Sequence, residues 1–179
     1  MKQHKVLFSD NWFDVVDING QVGLKNKHMS VAVMPYRTDD NGIISEIGLL
    51  HEFNNFREND FSDTLITGTI EYEDDSLLFT AVRELREEGG FTMPEDSLNR
   101  WLFLGPIYIS KNSDQVIPVF AVDVTGLPQE EANGDGSEKE VKSYLEMVDV
   151  SNGIASDESL VLASFVRLFN YMYAKAIGK

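Results

Sequence analysis

No cysteine occurs anywhere in the 179 residues. That excludes disulfides, a thiol nucleophile and a cysteine-ligated metal, and it fits a reducing cytoplasm. Stability has to come from the core alone, and a domain of this size buries roughly 70% of its unfolded surface. Basic residues are scarce: 15 Lys and Arg stand against 30 Asp and Glu, a net charge of -15. Sequence-independent nucleic-acid binding needs Lys and Arg to neutralise phosphates, so that partner is excluded, as is an anionic membrane surface. No apolar run approaches the ~20 residues of a membrane helix. Met1-Lys2-Gln3-His4-Lys5 leads into only a few apolar residues, so no secretory leader is expected. His4, His28 and His51 are scattered with no partner at a recognisable spacing, and they read as surface or packing residues. There is no repeat and no domain linker.

What the chain does have is clustered acid. The carboxylates concentrate in 71–75 with 84–88, and again in 130–140. Ser76 is suited to cap a helix, and Leu77, Leu78, Ala81, Val82 and Leu85 form a helical stripe. Glu84, Glu87 and Glu88 then share the opposite face, since residues three and four apart on a helix are neighbours. Like charges so close repel unless a cation offsets them. Carboxylate oxygens suit hard divalent ions, Mg²⁺ first, and Mg²⁺ usually takes phosphate as a further ligand. A solvated acidic face is the competing explanation. An acidic protein that handles a phosphate-bearing substrate needs such a cation as intermediary.

The order of residue types decides between them. Arg83-Glu84-Leu85-Arg86-Glu87-Glu88-Gly89-Gly90-Phe91 fits every fixed position of Arg-Glu-apolar-any-Glu-Glu-any-Gly-apolar. On these residues, the core of the motif known as the Nudix box, the chain resembles a Nudix hydrolase. The upstream half departs from the pattern, which has Gly, five residues, Glu, then seven residues before the Arg. Counting back from Arg83 reaches Asp75 instead of Glu, and Gly68 lies one residue too far away. In the family the upstream Glu holds the Arg. Here Asp75 is one candidate for that role, with Glu73 and Asp74 as the others.

Short strands are predicted at Val6–Phe8, Trp12–Val16 and Gln21–Leu24, with a hairpin turn at Asn19-Gly20. Further strands are expected at Ser30–Tyr36, ended by Pro35, and at Ile43–Leu50, Arg100–Ile109 and Val116–Val124. Asn54–Asp63 reads as loop, and 128–140 as an acidic, glycine-bearing loop. Tyr144–Val150 is a last strand or a short helix. Ser156 or Asp157 caps a core-packing helix that runs to about Ala176. The fold class is α+β: an α/β/α sandwich with a mixed sheet flanked by helices. Residues 1–28 form an N-terminal antiparallel extension, and 29–179 the Nudix domain.

The wider chain resembles the branch that hydrolyses ADP-ribose and nucleoside-diphosphate sugars. Leu65-Ile66-Thr67-Gly68-Thr69-Ile70-Glu71 stands where that branch has a Pro-Ala-Gly-x-Ile-Glu type of entry. Asn55-Phe56-Arg57 stands where it has a Gln-Tyr-Arg segment, and Gly153 to Ser159 looks like its closing segment. The resemblance implies Mg²⁺, with Mn²⁺ also possible, held by Glu84, Glu87, Glu88 and the Thr67 carbonyl. It implies substrate contacts at Arg57 and Gly68, Arg83 as a buttress, and a general base from the late loop, Glu138 or Glu140. The N-terminal strands would serve a homodimer, where Trp12 could reach a base. The expected partner is a small nucleoside diphosphate derivative, cleaved to a nucleoside monophosphate plus sugar phosphate. The alternatives are hydrolysis of nucleoside triphosphates, dinucleoside polyphosphates or coenzyme A-type diphosphates, or a non-catalytic nucleotide sensor.

Overall fold

The computed structural model describes residues 4–54, 57, 61–132 and 143–178. Strands β1 (His4–Ser9), β2 (Phe13–Ile18) and β3 (Gln21–Asn26) form an antiparallel sheet of their own, in the order β1-β2-β3. The β2–β3 turn is the predicted Asn19-Gly20 pair. Both residues have positive φ, 55° and 87°, as a tight hairpin of the twisted type demands. The Asp17 carboxylate accepts from the Gly20 amide at 2.6 Å and fixes the turn.

The second sheet carries the core. Strands β4 (Ser30–Thr38), β5 (Ile44–Phe53), β6 (Phe61–Thr64), β7 (Ile66–Thr69), β8 (Trp101–Tyr108), β9 (Val116–Asp123) and β10 (Tyr144–Asp149) follow the main order β10-β5-β4-β9-β8. Among these pairings β4 and β9 run parallel and the others antiparallel, so the sheet is mixed. β4 and β5 pair only over Tyr36–Thr38. Beyond that they part, β7 taking the free edge of β4 and β6 that of β5.

Proline does not end β4, contrary to the sequence expectation. Pro35 lies inside the strand at the point where β5 leaves, so its missing N–H costs no ladder bond to β5. Gly48 makes room for the ring: a Cβ there would stand 3.1 Å from Pro35 Cγ.

Helix α1 (Leu77–Glu87) covers one face of the sheet, with Ala81 and Leu85 in a cluster with Val31, Val33, Ile66, Phe91 and Val122. Helices α2 (Val150–Ile154) and α3 (Ser159–Ala176) cover the other, where Val161, Phe165 and Leu168 meet Met34, Ile47 and Val119. This is the expected α/β/α sandwich. Three local expectations change. The end of the predicted 54–63 loop is strand, because Phe61 pairs with Phe53 across β5 and β6. Residues 144–154 are strand and then helix, with Asp149 capping α2 through the Ser151 amide (2.8 Å). The α3 cap position is Glu158, held by Ser156 Oγ, and neither Ser156 nor Asp157 occupies it.

Candidate active site

The site grows from the N-terminus of α1. Ser76 is the N-cap and accepts from the Phe79 amide at 3.2 Å, as its residue type implies. The buried stripe is Thr80, Ala81, Glu84 and Leu85, so three expectations change: Val82 is 36% exposed, Thr80 is fully buried, and Glu84 lies in the buried stripe and not opposite it. Thr80 earns its place through a hydroxyl that donates to Asp74 Oδ2 at 2.9 Å.

Asp74 is the acid that holds the arginine. Its Oδ2 accepts from Arg83 Nη2 (3.2 Å) and from the Glu71 amide (2.9 Å), and its side chain is only 3% exposed. Asp75, the residue at the family's spacing from Arg83, is exposed. Gly68 to Asp74 restores the Gly-five residues-acid spacing, so the extra residue falls between the acid and the helix. Burial alone would raise the Asp74 carboxyl. The hydrogen bonds from Arg83, the Glu71 amide and Thr80, with the Arg83 charge, hold it below its ordinary value. Burial likewise works against the Arg83 cation, and the bond to Asp74 with the charge of Glu84 and the bond to Glu87 push its pKa up.

Arg83 in turn gathers the carboxylates. Its Nη1 donates to Glu84 Oε1 at 2.7 Å and to Glu87 Oε2 at 3.1 Å, and Nη2 also donates to the Thr69 carbonyl at 3.0 Å. Arg86 Nη2 takes the second Glu87 oxygen at 3.2 Å. Glu84 is 7% exposed and lies against the backbone of β7. A Cβ on Gly68 would come within 1.9 Å of the Glu84 carboxyl carbon, so only glycine admits the carboxylate there. The structure thus brings together Gly68, its neighbour Thr67, Arg83, Glu84 and Glu87, with Glu88 at the helix C-cap.

These residues fit a hard cation by donor chemistry: carboxylate oxygens crowded beside a glycine-floored space, with a guanidinium already supplying positive charge between two of them. Among the described residues no group of three His, Cys, Asp or Glu side chains is already arranged around an ion position. Arg83 Nη1 stands within hydrogen-bond distance of both Glu84 and Glu87.

The end of α1 is tied to the acidic loop. Gly90 has φ +70°, and a Cβ there would lie 2.1 Å from the Glu130 carbonyl oxygen. The Glu130 amide donates to the Gly90 carbonyl at 2.8 Å, and Gln129 Nε2 bonds both the Gly89 and the Leu145 carbonyls. The segment that leads toward Glu138 and Glu140 therefore starts against the box helix. Glu138 and Glu140 themselves lie outside the described residues.

Arg57 is not with this group. It pairs with Glu158 and with Asp157 (3.8 Å), on the α3 side of the sheet. It lines a cavity of about 900 Å³ with His51, Phe61, Asp63 and Glu146, and no box residue lines that cavity. Trp12 is 64% exposed and packs on His28 at 5.2 Å. The residues that the sequence left undecided or unnamed are Asp74, Thr80 and Gln129. The Gly68 spacing pointed to the first, and nothing local marked the other two.

A half-buried arginine thus clamps a glutamate-rich helix against the glycine-bearing strand β7, within an α/β/α sandwich. A NUDIX domain model matches residues 26–165, and the chain belongs to the Nudix hydrolase family. Among solved structures it is similar to an ADP compounds hydrolase, with a TM-score of 0.67 and 18% identity over 97% of this chain and 93% of that one. It is also similar to a candidate NUDIX hydrolase from Listeria monocytogenes, with a TM-score of 0.55 and 20% identity over 82% of this chain and 95% of that one. No curated protein matches the sequence significantly. Among the described residues no helix is long and apolar enough to cross a membrane.

Proposed function

We propose that this hydrolase cleaves the pyrophosphate of a nucleoside diphosphate joined to a second moiety, ADP-ribose or a nucleoside-diphosphate sugar, and releases a nucleoside monophosphate and a sugar phosphate. The Arg83–Glu84–Glu87 cluster on Gly68 is the observation that carries the chemistry. The substrate class is supported by the fold shared with an ADP compounds hydrolase over 97% of the chain, a span that takes in the N-terminal sheet.

Glu84, Glu87, Glu88 and the Thr67 carbonyl would hold Mg²⁺ or Mn²⁺. When bound, such an ion neutralises phosphate oxygens and lowers the pKa of the attacking water. Arg83 keeps Glu84 and Glu87 side by side, and Asp74 keeps Arg83 in place. Glu84 is pressed on the β7 backbone at Gly68. Glu138 or Glu140 is the proposed general base, and Arg57 a substrate contact away from the scissile bond. The protein works as a cytoplasmic homodimer joined through β1–β3.

The test is a substrate panel with Mg²⁺ and with Mn²⁺: ADP-ribose, UDP- and GDP-sugars, NADH, Ap4A and nucleoside triphosphates, for wild type and Glu87→Gln. ADP-ribose or a nucleotide sugar is expected to yield the nucleoside monophosphate, with a loss of at least about 100-fold in kcat in the variant. Turnover of triphosphates alone would keep the box and remove the proposed substrate class. Tight binding of one nucleotide without turnover would make the chain a sensor.

A further inference from the structure

The N-terminal sheet does not hang free of the larger one, and the join leaves an open cavity. The segment Asn112–Asp114, between β8 and β9, runs along the edge of β3. The Leu24 amide donates to the Asn112 carbonyl (2.7 Å) and the Asp114 amide to the Leu24 carbonyl (3.1 Å). Gln21 bonds Asn112 (3.2 Å), and Asn26 bonds Ser113 (3.0 Å). Gly23 permits the approach, since a Cβ there would lie 2.6 Å from the Asn112 carbonyl oxygen. Between sheet and loop lies a cavity of about 460 Å³.

Its lining combines two chemistries. Val16, Ile18, Val22 and Leu24 provide apolar groups, while Lys25 and Lys111 bring positive charge. Asp114 is the one carboxylate in the lining, and its Oδ1 is engaged by the Asn26 amide at 2.8 Å. Asp14, which pairs with Lys25 across β2 and β3, is taken by Lys27 at 3.0 Å. In a chain of net charge -15, a cavity whose charged lining is mainly cationic is a local reversal of sign. Lysine suits such a rim, a point charge on a flexible stem that can close on an anion. Apolar walls with a few converging polar groups are the usual make-up of a small-molecule site.

We propose that this cavity binds a small anion with an apolar or aromatic body: its ring against Ile18, and its phosphate, sulfonate or carboxylate between Lys25 and Lys111. The ligand would touch both the N-terminal sheet and the β8–β9 loop, so occupancy tightens the join between them. The site shares no residue with the box and does not depend on the hydrolase reading.

Phenyl phosphate is the simplest probe with both parts. Titrated into metal-free full-length protein and followed by amide chemical shifts, it is expected to perturb Gly23, Leu24, Asn112 and Ser113 saturably. Inorganic phosphate and phenol, each lacking one part, should bind at least about tenfold more weakly. Lys25→Ala with Lys111→Ala should weaken phenyl phosphate about tenfold or more, and Lys111→Glu further. Both lysines are exposed, so these variants keep the fold, which the unperturbed amide pattern elsewhere verifies. Glu87→Gln should leave binding unchanged. Absence of shifts at these amides, or equal affinity in the double lysine variant, would overturn the proposal. Loss of the shifts in Glu87→Gln would place the probe in the box and overturn it equally.

Discussion

Asp74 decides how the box is held, and its neighbour Asp75 offers an internal control. Removing one partner of a buried ion pair leaves an uncompensated charge, so Asp74→Ala should destabilise by about 3 kcal/mol. Asp75→Ala, at an exposed position, should stay within about 0.5 kcal/mol. Denaturant unfolding of the two variants measures both. The pH dependence follows from sign. Asp74 has a folded pKa below the ordinary aspartate value, so its contribution is complete above that value and fades as pH falls through the folded pKa. The stability gap between wild type and Asp74→Asn should therefore be constant from neutral pH down to about 4 and narrow in stronger acid. A gap that widened in acid would mean that another carboxylate holds Arg83.

At the scale of elements, what was legible followed from period and punctuation. Helix α1, its Ser76 cap and the glycines after it could be read because capping and helical spacing are local properties. The β2–β3 hairpin could be read because Asn-Gly accepts positive φ at both positions. β6 could not: its four residues, Phe61–Thr64, are strand only because β5 has parted from β4 and offers an edge. Pro35 misled for the same reason, since the place where a partner strand leaves is a property of the sheet. That Glu84 and Glu87 converge was legible from helical spacing. That Asp74 and not Asp75 reaches Arg83 was not, because where the extra residue falls depends on how the 71–76 turn packs under Thr80. The helix end yields a prediction of its own. Gly90→Ala puts a Cβ into the Glu130 carbonyl and asks alanine to adopt φ +70°, so it should cost more than about 1 kcal/mol. Because that contact also launches the acidic loop, kcat should fall by more than stability accounts for if Glu138 or Glu140 supplies the base. Unchanged kcat in the folded variant would move the base elsewhere.

The whole molecule has to reconcile charge with assembly. Two copies at a net charge of -15 repel, so a dimer needs apolar area where the charge is low. The β1–β3 sheet supplies it. Phe8, Val15 and Leu24 stand in register across the three strands, Phe13 packs on Phe8 at 6.2 Å, and Phe8, Val22 and Leu24 are 54%, 51% and 43% exposed. Val16 and Ile18 alternate with Val15 along β2 and so face the other way, while Val22 and Leu24 border both the patch and the cavity. A patch of that kind is too small to form a stable interface alone, which needs about 1,200 Å² or more in total, so neighbouring surface must contribute. Light scattering should give a dimer at 150 mM salt, with dissociation favoured as salt is lowered and the repulsion is less screened. Phe8→Glu, which adds a charge at the centre of the patch, should give a folded monomer at the same protein concentration. A wild type that is monomeric at micromolar concentration and high salt would remove the homodimer. A Phe8→Glu variant that stays dimeric would keep the dimer and move its interface off the N-terminal sheet.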